Sequence, residues 1–408
     1  MLALILLVNA FIRELNKNIQ LMQEMRTNMK KLGIYVHVPF CVRKCNYCDF
    51  YSVTHNEEKE SNYIDAILKE IKSYYSSGSG YVVDSIFFGG GTPTIIDPKN
   101  LQLIMEEIKN VFPLDPNCEI SMEANPNSLS DDNLTLYKQM GINRLSIGIQ
   151  SLNDEILKNI GRLHDKGEAL DALNRAKLHG FDNINADVMF NIPGQNIDDI
   201  TNTIEDIIKH HVKHISFYSL KLEHGTPMFE MEKSKKIIMP EEDDEREMYY
   251  SGRQIMEEHN LMQYEISNFA LKGFECRHNL KYWNQDEYIG FGPSAHSFLN
   301  NERYSNGSDL ESYCENASAG NYNRTVHEKL DHDGLMFEYI MLRLRLNAGL
   351  HTETFKEKFQ VDFYEKYSAQ IKYLINNKLI ECKKDNVKLT HRGMDISNYV
   401  FEQFMDID

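Results

Sequence analysis

Six times between residues 34 and 220 the chain passes from a short strand-like run to a helical one. That alternation limits its possible folds more than any other feature. The strand-like runs are an alternating apolar segment carrying Ile34, Val36 and Val38, then residues 81–88, 118–123, 143–149, 183–190 and 214–220. Helical periodicity fills the intervals, as in residues 57–75, where Tyr63, Ile67, Ile71 and Tyr74 share a face, and in 101–111 and 197–210. Strands joined through crossover helices build a parallel sheet covered by helices. Six units fall short of the eight of a closed barrel. The expected fold is therefore α/β: an open, six-unit partial TIM-like barrel, with a smaller α+β domain after it.

The residues best equipped for chemistry fall at corresponding places in these units. Cys41, the run Gly89–Thr92, Glu123, Gln150 and Asp187 each lie at or just beyond the C-terminal end of a predicted strand. In parallel β/α folds those ends share one rim, and ligands bind there. The glycine run lets backbone approach a ligand, and free N–H groups in it can bind a carboxylate or phosphate; it can equally be an ordinary turn. Glu123 can pair with an ammonium group or simply be solvated. Gln150 offers two donors and an acceptor. Arg162 can grip a carboxylate with two N–H groups or complement a helix C-terminus. Asp187 interrupts an apolar strand, which calls for a partner or a role.

Three of the seven cysteines, Cys41, Cys45 and Cys48, crowd one loop at C-x3-C-x2-C spacing directly behind the first strand, which Pro39 ends. Thiolates this close repel unless a metal centre neutralises them. A structural zinc site takes four protein ligands, and His37, Asp49 or His55 can supply the fourth. A cubane iron–sulfur cluster suits three thiolates with one iron left open. A redox dithiol at Cys45 and Cys48 leaves Cys41 without a task. The cluster is the most economical of the three. The other cysteines (Cys118, Cys276, Cys314, Cys382) are scattered and the total is odd, so no disulfide framework is expected. A formal net charge of -17 disfavours a general nucleic-acid role.

The phrase Tyr35-Val-His-Val-Pro-Phe-Cys41, opening a C-x3-C-x2-C loop, resembles the radical SAM superfamily. Within it the likeness is to the HemN/HemW group of oxygen-independent coproporphyrinogen III oxidases and haem chaperones, from about Gly33 to the C-terminus. This resemblance implies a 4Fe-4S cluster on Cys41, Cys45 and Cys48, with the open iron binding S-adenosylmethionine (SAM). It implies contacts from Tyr35, Gly90 and Glu123 to that SAM. A second SAM, where the family has one, would meet Tyr47, Gly91, Thr92, Gln150, Arg162 and Asp187. Phe50 stands where the oxidases carry a further cysteine. Residues 277–283 resemble the His-Asn-x-x-Tyr-Trp signature of the chaperone branch, with His278, Asn279, Tyr282 and Trp283, a signature linked there to haem.

The likeness also implies haem binding, delivery of haem to acceptor apoproteins, a reductant for the cluster and no coproporphyrinogen oxidase activity. Radical oxidative decarboxylation of coproporphyrinogen III is the competing expectation. Chemically, His278 and Tyr282 stand one helical turn apart, both residue types ligate haem iron, and Trp283 can stack on a porphyrin. The same residues also make an ordinary hydrogen-bonded packing cluster. Cys276 is a soft ligand nearby. The glycine-rich run 290–296 reads as a structural turn, with His296 unassigned.

Residues 1–28 read as an N-terminal extension of doubtful reality, with a short membrane-surface helix as the alternative. The barrel is expected over 29–265, a connecting region with the His-Asn-x-x-Tyr-Trp motif over 266–325 and a HemN-type C-terminal domain over 326–408. Before that domain, 300–320 is a polar linker. Within it, helices at 335–346, 352–359 and 363–375 precede a hairpin (379–382 with 387–389) and a last helix capped by Thr390. That order is winged-helix-like; the acidic charge favours a lid or docking surface over a DNA reader. A cytoplasmic location fits the thiol loop, while membrane-peripheral docking and a homodimer stay open.

Overall fold

The computed structural model of the protein describes residues 29–405, apart from 318 and 323. The 1–28 extension lies outside the described residues. Six parallel strands appear where the alternation placed them: β1 (Lys30–Val38), β2 (Tyr81–Gly90), β3 (Leu114–Ala124), β4 (Arg144–Gln150), β5 (Asn183–Phe190) and β6 (His214–Ser219). Between them run α1 (Glu57–Lys72), α2 (Pro98–Val111), α3 (Asp131–Met140), α4 (Lys166–Leu178) and α5 (Ile197–Lys209). Their starts are locally encoded. Asn196 and Asp199, for example, form a reciprocal capping box at the head of α5.

Each strand divides its side chains between two environments. Outward positions are apolar and buried against the helices: Ile34 and Val36, Ile86 and Phe88, Ile120 and Met122, Leu145 and Ile147, Ile184 and Ala186, Ile215 and Phe217. Inward positions are largely polar. They carry Tyr35 and His37, Ser85, Glu119 and Glu123, Arg144 and Ser146, Asn185 and Asp187, then His214 and Ser216. Hydrogen bonds cross this interior, from Asn185 Nδ2 to Ser146 Oγ at 2.6 Å and from His214 Nδ1 to Asn185 Oδ1 at 2.6 Å. The acid at 187 therefore does not interrupt an apolar strand; it belongs to a polar face.

After helix α6 (Glu242–Glu258) the sheet grows at both ends. β7 (Met262–Glu265) and β8 (Asn268–Ala270) turn back antiparallel beside β6. Helix α7 (Arg277–Asn284) crosses to the other edge, where β9 (Tyr288–Phe291) pairs parallel with β1, Gly33 opposite Tyr288. β10 (His296–Leu299), β11 (Glu302–Ser305) and β12 (Thr325–Lys329) follow antiparallel. The strand order is β12-β11-β10-β9-β1-β2-β3-β4-β5-β6-β8-β7, with the two ends unjoined: an open barrel. The glycine-rich run expected as a turn thus begins inside a seventh parallel strand. The polar "linker" at 300–320 holds β11 and a helix, Leu310–Ala317.

The C-terminal unit has its own core, including Ile340, Phe355, Leu374, Val387 and Phe404. It comprises α8 (His332–Leu344), shorter helices, and a sheet of Leu350–His351, Asn386–Leu389 and Ile380–Lys383. The helix expected at 363–375 is two, Phe363–Lys366 and Ser368–Asn376. Thr390 does cap a helix, accepting from Gly393 N at 3.0 Å. Among the described residues no helix is long and apolar enough to cross a membrane.

Candidate cluster and ligand site at the barrel mouth

The cysteine loop is pinned to the barrel rim by hydrogen bonds from its non-cysteine residues. Arg43 Nη2 donates to Gly161 O at 2.8 Å, Asn46 N to Ile160 O at 3.1 Å, and Met228 N to Asn46 O at 3.0 Å. Gly161 has φ of 83°, and a Cβ there would meet Asn46 at 3.1 Å, so the close approach requires glycine. All seven cysteines are free thiols, and the loop's three are partly exposed. Burial pushes the Cys48 thiol up to about 11, so a positive centre is needed to hold it as thiolate. Among the described residues no three His, Cys, Asp or Glu side chains gather as around a single ion. A cluster makes a looser demand, because each thiolate binds its own iron.

The expected ligand residues surround this loop. Cys41 Sγ lies 3.6 Å from Thr92 Oγ1, which also accepts from Asn125 Nδ2 at 3.0 Å. Asn125 Oδ1 in turn accepts from Arg162 Nη2 at 2.7 Å, and Arg162 Nη1 approaches Cys45 Sγ at 3.8 Å. Arg162 Nε is buried without a hydrogen-bond partner. Tyr47 packs against the small apolar cluster that includes Ile156, Ile160 and Met228. Gln150, at φ of 68°, holds a backbone conformation rare outside glycine at the end of β4, and its Oε1 accepts from Tyr218 Oη at 3.0 Å.

Glu123 lies deep in the barrel yet is partly open to its interior. Its carboxylate accepts from Gly90 N at 3.1 Å. Burial, and then the neighbouring Asp187, push its carboxyl up to about 8. Asp187 is raised as well, by burial, against the pull of the Asn185 amide and the Ser216 hydroxyl. The buried Arg144 guanidinium pulls both acids the other way without cancelling the effect of burial. Tyr35 donates from its hydroxyl to His37 Nδ1 at 3.1 Å, while His37 Nε2 donates to Tyr51 O at 3.0 Å. Burial lowers His37 to about 4.

The glycine run acts differently from the sequence reading. Its N–H groups are already used: Gly90 on Glu123, Gly91 on Val38 O at 2.9 Å and Thr92 on Phe40 O at 2.7 Å. A Cβ at Gly91 would stand 2.5 Å from the Phe40 carbonyl oxygen. The run lets the cysteine loop fold onto β2, and none of these three N–H groups is free for a ligand. Asn125 and Tyr218, which join this network, were not among the residues singled out from the sequence, and His37 was considered there only as a fourth metal ligand. Asn125 obeys the same end-of-strand rule as Glu123, two residues earlier, so its position could have found it.

The second motif forms α7. Glu119, inward on β3, caps it, accepting from Arg277 N and His278 N at 3.1 Å each. His278 is buried, with Nδ1 hydrogen-bonded to Ser85 Oγ and Nε2 to Tyr282 Oη, both at 2.9 Å. Burial lowers it to about 3. Cys276 is wholly buried, its Sγ 3.6 Å from Glu119 Oε1. Asn279 is half-buried on the same helix. Trp283, with the Arg345 guanidinium 4.4 Å from its ring centre, faces a cavity of about 610 Å3 beside the cysteine loop.

Residues 35–207 match the Radical SAM superfamily and residues 330–396 the HemN C-terminal domain. The chain is 33% identical to the heme chaperone HemW of Lactococcus lactis over 92% of its length and 98% of that protein's. It is 34% identical to the heme chaperone HemW of Bacillus subtilis, over 91% and 98%. Among solved structures, coproporphyrinogen III oxidase (HemN) from Escherichia coli, a radical SAM enzyme, superposes with a TM-score of 0.81 over 93% of this chain and 91% of that one. At 22% identity the superposition speaks for the fold alone.

Proposed function

This chain belongs to the HemW family of radical SAM proteins, and on that premise we propose that it is a haem chaperone, one that binds haem beside a SAM-ligated 4Fe-4S cluster and passes it to acceptor apoproteins. Likeness to haem chaperones along 98% of their own length carries the reading. The cluster, when bound, supplies an open iron for SAM and an electron for its sulfonium. Cys41, Cys45 and Cys48 would hold it. Glu123 and Asp187 would take the positive groups of SAM, Arg162 its carboxylate, and Tyr35 and His37 would fix the wall behind it. Gln150, with Tyr218, and Tyr47 with Gly90, Gly91 and Thr92 complete the rim. The free thiols fit the reducing cytoplasm.

Anaerobic reconstitution tests this directly. The expected result is a brown protein with about four irons and four sulfides per chain, as a cubane requires, that takes up haem to one equivalent. A colourless protein, or one that converts coproporphyrinogen III to protoporphyrinogen, would overturn it.

A further inference from the structure

We infer that the outer face of the cysteine loop is a docking surface for an acidic one-electron carrier protein, centred on Val42, Arg43, Lys44 and Leu163. This rests on the radical SAM reading and names the surface through which a reductant reaches the cluster. Besides the edge cavity, a second cleft of about 410 Å3 borders the loop. The edge cavity carries Asp49, Asp286 and Glu338 in its lining. The second cleft has no Asp or Glu in its lining, in a chain that holds 61 acids against 44 bases. Cys45 is the one loop cysteine that lines either opening. A partner seated on this cleft stands against a residue that would hold the cluster, and electron transfer weakens steeply with added distance.

The charge of the cleft has an inner and an outer part. Arg162 spends its donors inward, on Asn125, Gly148 O and Cys45. His164 is buried against Ile149 O at 3.1 Å. The outward charge comes from Arg43 and, beside it in the chain, Lys44, both exposed. The bond from Arg43 Nη2 to Gly161 O fixes that guanidinium at the lip. The nearest acids in the sequence are engaged elsewhere: Asp49 lines the edge cavity, and Asp131 pairs with His179 at 3.1 Å. A positive face on a chain of net charge -17 favours an acidic partner and steers it to the loop.

Apolar groups complete the surface. Val42 is 61% exposed and Leu163 47% exposed, and both line the cleft. Aliphatic side chains left in water beside fixed cations match the apolar centre and charged rim of a protein interface. Electron-transfer encounters are among the smallest specific complexes, often below about 1,200 Å2, so a patch of this kind is enough. In the encounter the carrier loses one electron and the cluster gains it. No bond is made or broken between the two proteins.

The test mixes cluster-loaded protein anaerobically with reduced flavodoxin, an acidic one-electron carrier, and follows bleaching of the cluster absorbance. Dithionite, a small reductant that needs no docking surface, is the control. Lys44→Glu should slow reduction by flavodoxin roughly tenfold at low salt, with the effect shrinking as salt rises. Leu163→Gln should slow it several-fold at every salt concentration. Both variants should be reduced by dithionite at the unaltered rate. Carbodiimide coupling, which joins a lysine amine to a carboxylate in contact, should link Lys44 to the carrier, a readout independent of electron flow. Unchanged flavodoxin rates in both variants, coupling confined to lysines away from the loop, or failure of flavodoxin to reduce protein that dithionite reduces would overturn the assignment. Protein that holds no cluster would instead bring down the radical SAM reading, and this surface with it.

Discussion

The cysteine loop separates two regions of opposite character. On one side the barrel interior is lined by acids, amides and hydroxyls, each tied to a neighbour. On the other, the edge cavity sets aromatic rings (Phe50, Tyr282, Trp283, Tyr288, Phe298) beside charged groups such as Asp49, Asp286, Arg303 and Glu338. One continuous sheet builds both. The interior strands alternate polar inward residues with an apolar outward face, so the barrel's stability resides outside and its ligand chemistry inside. The edge strands β9 to β11 instead turn Tyr288 and Phe298 toward the ligand space. A charged, nucleotide-like molecule suits the first region and a flat aromatic one the second, and substitutions should be able to separate them.

Loss of a cluster ligand should have the largest effect. Cys48→Ala is expected to abolish the brown chromophore and the bound iron while leaving haem uptake in place, by absorbance and iron counting. Simultaneous loss of haem would merge the two regions into one. Next comes Glu123→Gln, which removes the buried acid proposed above to take a positive group of SAM. SAM affinity should fall roughly 100-fold, about 3 kcal/mol, as for truncating one partner of a desolvated charge pair, by calorimetry on cluster-loaded protein; the haem titration should not move. Trp283→Ala should weaken haem several-fold, about 1 kcal/mol for one aromatic wall, without changing SAM binding.

The smallest effect is one of pH. Glu123 in the folded, cluster-free protein is raised to about 8 from an ordinary 4.5, so between those values the folded state holds more protons than the unfolded. Stability should therefore fall as pH rises through that window, as followed by denaturant unfolding. Glu123→Gln should flatten the slope; a slope unaltered by the substitution would place the titrating acid elsewhere.

Much of the first region was legible in the sequence, because a strand's alternation and a helix's period are local signals. They located six strands, and the ends of those strands gathered Cys41, Glu123, Gln150 and Asp187 on one rim. The second region was legible only in Tyr282 and Trp283, through their motif. β9 is a strand only because β1 offers it a free edge, and nothing local to residues 288–291 announces that partner. Glycines at 290 and 292 and an Asn/Ser-rich run after 299 look like turns and linker by composition alone. His278 could be recognised as part of a motif, but whether its nitrogens were free or occupied depended on Ser85, far away in the chain. The glycine run misled for the same reason: its amides are spent on carbonyls of Val38 and Phe40.

The pairing of Gly33 with Tyr288 also sets an order of events during vectorial synthesis. A ribosome releases the thiol loop and all six central strands before the strand that closes the edge exists, and α8 emerges later still. Such long-range pairing is slow to form and leaves β1 with an open border meanwhile. A nascent chain can thus expose its thiol loop to an inorganic centre while the edge cavity still lacks two walls. Closure of that cavity thereby waits until translation is nearly finished.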